Sequence, residues 1–167
     1  MARMKKTSLL VTALLLAATS SAIAGGSPGS IGVGAEYQLN GIGGVSVNYD
    51  AGKFHVGGAL GVADPAGPNN TEVDIFGRFY YHVHSTAMAD FSLGGSIGLA
   101  SVPNMAMANT RDSDVYIEPG FQIRVFLASN VALSFAGGIT IGVVDADGVG
   151  ITAQGLNGAA GIHYYFF

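Results

Sequence analysis

From Val131 to Val143 the chain alternates with a period of two. Val131, Leu133, Phe135, Ile139, Ile141 and Val143 fall on one side, and Ala132, Ser134, Ala136, Gly138, Thr140 and Gly142 on the other. Only an extended strand sends successive side chains to opposite faces, so this run reads as a strand with one apolar face. Two more segments repeat the scheme. In Val73 to Val83, Val73, Ile75, Phe79, Tyr81 and Val83 oppose Asp74, Phe76, Arg78, Tyr80 and His82. In Val115 to Leu127, Val115, Ile117, Phe121, Ile123, Val125 and Leu127 oppose Tyr116, Glu118, Gly120, Gln122 and Arg124. Five weaker segments, roughly Ile31–Leu39, Gly43–Tyr49, Phe54–Val62, Met88–Ala100 and Ile151–Phe167, bring the expected strands to eight.

The charges decide which way such a sheet faces. Glu36, Asp74, Arg78, Asp90, Glu118 and Arg124 lie within these strands, all opposite the large aliphatic residues. Only 11% of the chain is charged, against about 25% in ordinary soluble domains. Beyond the N-terminal region no segment is long and apolar enough for a spanning helix. In lipid, only helices and closed barrels satisfy every backbone polar group. The expected fold is therefore all-β, an eight-stranded antiparallel transmembrane β-barrel, apolar outside and polar within. A soluble lipocalin-like barrel would reverse the faces and turn a poorly solvated Gly, Ala and Ser surface to water.

The N-terminus reads as a targeting segment. Arg3, Lys5 and Lys6 precede the apolar run Leu9–Ala18, and Ala22-Ile23-Ala24 has the small-x-small pattern of a cleavage site. Polar Thr19, Ser20 and Ser21 end the run too early for a membrane anchor. The expected division is a signal peptide over residues 1–24 and one barrel domain over 25–167. Losing Arg3, Lys5 and Lys6 takes the net charge from −4 to −7. An acidic chain with only Lys53, Arg78, Arg111 and Arg124 left as scattered bases has no nucleic-acid footprint. It has no cysteine, hence no disulfide or thiolate chemistry, and nothing in it asks for a cofactor.

Short connections are expected at Asp50–Lys53, His84–Thr86 and Ala128–Asn130, and longer ones at Asp64–Glu72 and Ser101–Asp114. That alternation puts short turns at one end and loops at the other, as in outer-membrane barrels. The C-terminus, Tyr165-Phe166-Phe167, resembles that of bacterial outer-membrane β-barrel proteins, whose last strand ends in Phe with an aromatic residue two positions earlier. Tyr165 and Phe167 fit this assembly signal, although His163 breaks their series and Ile162, Tyr164 and Phe166 form the more apolar one. A bulge near the terminus would reconcile the two. The whole pattern looks like the small OmpA/OmpX type of Gram-negative outer membranes. The resemblance implies an outer-membrane location, both termini in the periplasm, and lipopolysaccharide and the barrel-assembly machinery as partners.

Candidate chemistry lies in three places. The strand charges Glu36, Asp74, Arg78, Asp90, Glu118 and Arg124 would form a lumen network, either a salt-bridged filling or an ion path whose charges set selectivity. Inward small residues such as Gly32, Gly57, Gly61 and Gly98 would leave room for a thin water path. Asp64, Glu72, Asp112, Asp114, Asp145 and Asp147 crowd the loop end, where divalent cations could bridge them to lipopolysaccharide phosphates. No metal site is expected there, because Asp145-x-Asp147-Gly148 lacks the further ligands of a calcium loop. Enzyme signatures are weak. Gly94-Gly95-Ser96-Ile97-Gly98 matches G-x-S-x-G but sits in a strand, not on a strand-to-helix elbow. His82, His84 and Ser85 have hydrolase-like chemistry at the turn end. The reading is non-enzymatic: an envelope structural protein or narrow porin-like channel, with loop-mediated surface adhesion or lipid modification as alternatives.

Overall fold

The computed structural model describes residues 27–39, 42–66, 70–104, 107, 110–145 and 148–166, with side chains described except over 144–156. The expected signal peptide and Phe167 lie outside the described residues. Eight strands follow in order: β1 Ile31–Gln38, β2 Gly43–Asp50, β3 Phe54–Ala63, β4 Glu72–Ser85, β5 Ala89–Pro103, β6 Arg111–Ala128, β7 Val131–Asp145 and β8 Gly148–Phe166. Each pairs antiparallel with the next, and β8 closes on β1 through Ile31↔Phe166 to Gln38↔Ala159. The sheet thus has no free edge, and every strand's backbone finds partners on both sides. Among the described residues no helix is long and apolar enough to cross a membrane.

The alternation translates directly into two surfaces. Val47, Leu60, Ile75, Phe79, Leu93, Ile97, Phe121 and Phe135 are among the many large apolar side chains exposed outside. Among the described residues, glycine aside, fifteen buried side chains are polar or charged and six are apolar or aromatic. A water-soluble domain is built the other way round. The molecule's core is its polar lumen.

The strand lengths differ from the sequence-based expectation at the loop end. Pairing of β5 with β6 runs on to Pro103↔Arg111, so the expected long loop Ser101–Asp114 contracts to the few residues between those positions. Asp112 and Asp114 are strand residues of β6, Glu72 opens β4 and Asp145 closes β7. Period two persists through these stretches with polar residues on both sides, which hides a strand from a hydropathy reading.

The expected bulge near the C-terminus is not found. The β8 register is unbroken against β1, and against β7 from Val131↔Tyr164 to Thr140↔Gly155. Ile162, Tyr164 and Phe166 face outward while His163 and Tyr165 are buried. A bulge does occur in β4 between His82 and His84, beside the β2–β3 turn, where Gly52 adopts φ +87°. That left-handed conformation favours glycine.

Candidate functional site

The lumen is organised along the barrel axis in three polar clusters, each fed by several strands. At its centre Arg78 of β4 meets Glu36 of β1 through two bonds, Nη1 to Oε2 at 2.8 Å and Nη2 to Oε1 at 2.5 Å. Two parallel N–H···O bonds make this the strong fork geometry of an arginine–carboxylate pair. Arg78 also donates to Asn48 Oδ1 from Nε and Nη2, at 3.1 and 2.7 Å. His163 Nε2 lies 2.6 Å from Ser46 Oγ and 3.3 Å from Glu36 Oε1. This serine–histidine contact is not a catalytic triad, because there the carboxylate orients the imidazole through its other nitrogen.

Toward the short turns, Arg124 of β6 holds two carboxylates at once. Its Nη2 lies 2.7 Å from both Asp50 Oδ2 and Asp90 Oδ2, and its Nη1 donates to the Tyr165 hydroxyl at 3.1 Å. The guanidinium also packs 5.4 Å from the Phe126 ring centroid and 5.9 Å from that of Tyr165. His55 and His82 complete this cluster.

Toward the loops the carboxylates are held by neutral donors. Glu118 accepts from Ser96, Thr140 and Asn157 at 2.8, 2.5 and 2.6 Å. Asp74 accepts from Gln38 Nε2 at 3.0 Å and the Tyr116 hydroxyl at 2.8 Å. No ion pair joins either to an arginine among the described residues, whereas Glu36 is paired with Arg78 and Asp90 with Arg124. Among the described residues these three clusters hold five carboxylates against two guanidiniums, with two unpaired carboxylates toward the loops and one in excess at Arg124.

The space above the inward glycines is largely occupied. A Cβ at Gly32 would run into the Tyr165 ring, one at Gly98 into Tyr116, one at Gly61 into Ile42, and one at Gly57 into Asn48. These glycines thus make room for side chains from the neighbouring strand and do not line an open path. What remains is a cavity of about 30 Å³ bordered by Glu36, Arg78, Tyr80, Glu118 and Asn157, room for roughly two waters.

The remaining sequence candidates scatter. Asp64 is exposed and accepts from Thr71, and Asp112 accepts from Asn104. Glu72, Asp112 and Asp114 share strand faces with Asp74 and Glu118. Asp145 ends β7 with its side chain undescribed, and Asp147 lies outside the described residues. Among the described residues no three acidic or histidine side chains converge as metal ligands. Tyr165, read as part of an assembly signal, is a lumen residue bonded to Arg124. His82 continues the lumen face of Arg78 and Tyr80, whereas past the bulge His84 and Ser85 are exposed, so the three do not form one site. Asp50, read as a turn residue, is the main omission. Its signal was available, because Ser46, Asn48 and Asp50 continue the polar face of β2.

No family model and no curated sequence matches the chain. Solved structures do. The N-terminal β-barrel domain of Pseudomonas aeruginosa OprF superposes with a TM-score of 0.63 at 11% identity, covering 83% of this chain and 98% of that one. Neisserial surface protein A (NspA) gives 0.53 at 13% identity, covering 82% of this chain and 96% of that one. At such identities the likeness is one of fold. With closure, strand number and topology, it gives the chain the fold of the small eight-stranded, OmpA/OmpX-like outer-membrane barrels.

Proposed function

We propose that this protein resides in the outer membrane as a non-enzymatic envelope barrel whose lumen is closed at neutral pH. The observation that carries the reading is the inversion of the two surfaces: Phe79 is 47% exposed and its neighbour Tyr80 is 5% exposed. That aliphatic exterior suits hydrocarbon, and the turn end with the chain termini faces the periplasm in this reading. The acidic residues at the loop end then lie at the cell surface, where lipopolysaccharide and its divalent cations are the natural contacts. Insertion by the barrel-assembly machinery after export belongs to the same reading. Two arginine clusters in series across a narrow lumen favour a structural or anchoring role over free conduction.

The test is fractionation with gel mobility. The expected protein is found in the outer-membrane fraction and runs at a different position before and after boiling. A soluble band with unchanged mobility contradicts the proposal. A second reading, a narrow cation-preferring channel, is favoured by the loop-side cavity beside Glu118. It predicts discrete conductance steps in a planar bilayer that Glu118→Ala alters.

A further inference from the structure

At the turn end His82 is held in one protonation state by what surrounds it. Its Nδ1 lies 2.9 Å from the Gly52 carbonyl oxygen, which can only accept, so Nδ1 carries a hydrogen. Its Nε2 lies 3.0 Å from Arg124 Nη2, which can only donate, so Nε2 presents a lone pair. His55 Nδ1, 2.8 Å from the same Nε2, must then be a second donor. Arg124 Nη2 is also shared, since its two hydrogens face Asp50, Asp90 and His82. The geometry describes a neutral His82 acting as acceptor for two donors.

The charge of the cluster favours a different state. Asp50 of β2 and Asp90 of β5 bring two negative charges against the single positive charge of Arg124 of β6. The other titratable groups facing the cluster are His55 of β3, Arg78 of β4, already paired with Glu36, Tyr80 of β4, stacked on His55 with ring centroids 5.5 Å apart, and Tyr165 of β8. One added proton would balance the carboxylates. His55 is a poor place for it, because the ring is fully enclosed and cut off from solvent. His82 is only half-buried, at the barrel end, and sits where the β4 ladder is already interrupted by a bulge. A proton on its Nε2 would point an N–H at Arg124 Nη2, which can only donate, and would reverse the bond with His55 Nδ1.

We propose that His82 is an acid-operated latch on the turn end of the lumen: taking a proton from solvent at Nε2 expels its ring from Arg124 and His55 and uncovers the interior behind it. The movement also frees the β2–β3 turn, since His82 binds the Gly52 carbonyl by its side chain and the Lys53 carbonyl by its backbone N–H. The first residue uncovered is Ser92, fully buried and paired in register with His82. Conduction is not required of the latch, because the Glu36–Arg78 pair lies in series. The inference rests on the closed-lumen reading, and the test separates the two.

With no native cysteine, Ser92→Cys gives a single reporter thiol, read by methyl methanethiosulfonate labelling of the refolded barrel. Its rate is compared with that of Ser92→Cys/His82→Gln, in which the amide can bond Gly52 and accept from Arg124 but cannot take a proton. The two rates are compared at pH 7.5 and at pH 5. The expected ratio of the two rates is near one at pH 7.5 and at least about tenfold at pH 5. Each tenfold corresponds to about 1.4 kcal/mol of opening free energy. A ratio near one at both values, or the same raised ratio at both, overturns the latch. A boiling-dependent mobility shift on the same samples shows that the barrel is intact, and its failure would count against the barrel itself. If His82→Gln does not refold, nitrogen NMR of the unsubstituted chain decides. The latch requires the Nδ1–H form of His82 at pH 7.5 and an Arg124 Nε signal that moves with His82 titration. An Nε2–H form, or an Arg124 signal that stays still, overturns it.

Discussion

Glu36 and Arg78 are each almost fully buried, so neither can exchange its partner for bulk water. Glu36→Gln should leave an uncompensated guanidinium and cost roughly 3–5 kcal/mol, read as a lower urea midpoint for unfolding from lipid vesicles. Replacing both, Glu36→Gln with Arg78→Met, should recover most of that loss, because a matched pair is far less costly to remove than one partner. A double variant as unstable as the single one would mean that the unpaired charge is not the source of the loss. Gly98 makes the complementary case for size. A side chain there meets the Tyr116 ring, so Gly98→Val should displace Tyr116 from Asp74 and cost about 1–3 kcal/mol. Tyr116→Ala placed beside it should relieve the overpacking, as the same unfolding assay would reveal.

At the scale of the strand, the faces have unequal tolerance. Val47 lies mid-strand in β2, outward, flanked by Val33 and Gly58. Val47→Arg should cost about 2–4 kcal/mol at the bilayer midplane and reduce the fraction that refolds into vesicles, whereas Val47→Leu should be near neutral. Equal refolding of the two variants would argue that this face meets water. The strands themselves were legible because period two coincided with a hydropathy contrast, as in β4 and β7. Where the contrast faded, at Ser101–Pro103 and Arg111–Asp114, the pairing continued unseen and strand residues read as loop. The terminal aromatics were ambiguous for a related reason: the assembly signal joins Tyr165 to Phe167, whereas Ile162, Tyr164 and Phe166 form the more apolar series and His163-Tyr165 the other. The unbroken β1–β8 register assigns the second to the lumen. Membership of the polar face was readable from parity, but partner choice was not. Which acid meets Arg124 depends on barrel closure, which brings Asp50 and Asp90 together across β2 and β5.

For the whole molecule, the account joins an exterior fit for hydrocarbon to an interior closed by two arginine clusters. At neutral pH the refolded protein should be nearly silent in a planar bilayer, with steps emerging only when both Arg78 and Arg124 are replaced by Ala. Regular steps from the unsubstituted protein would show that the side chains filling the lumen yield more easily than their packing suggests. The absence of tryptophan from the chain gives the central claim its most direct measurement, with Phe79→Trp and Tyr80→Trp as single emitters at adjacent positions. In vesicles whose acyl chains carry bromine near the bilayer centre, Phe79→Trp should be quenched several-fold and Tyr80→Trp hardly at all. Equal quenching, the reverse order, or none at either position would contradict an apolar exterior in lipid around a polar core.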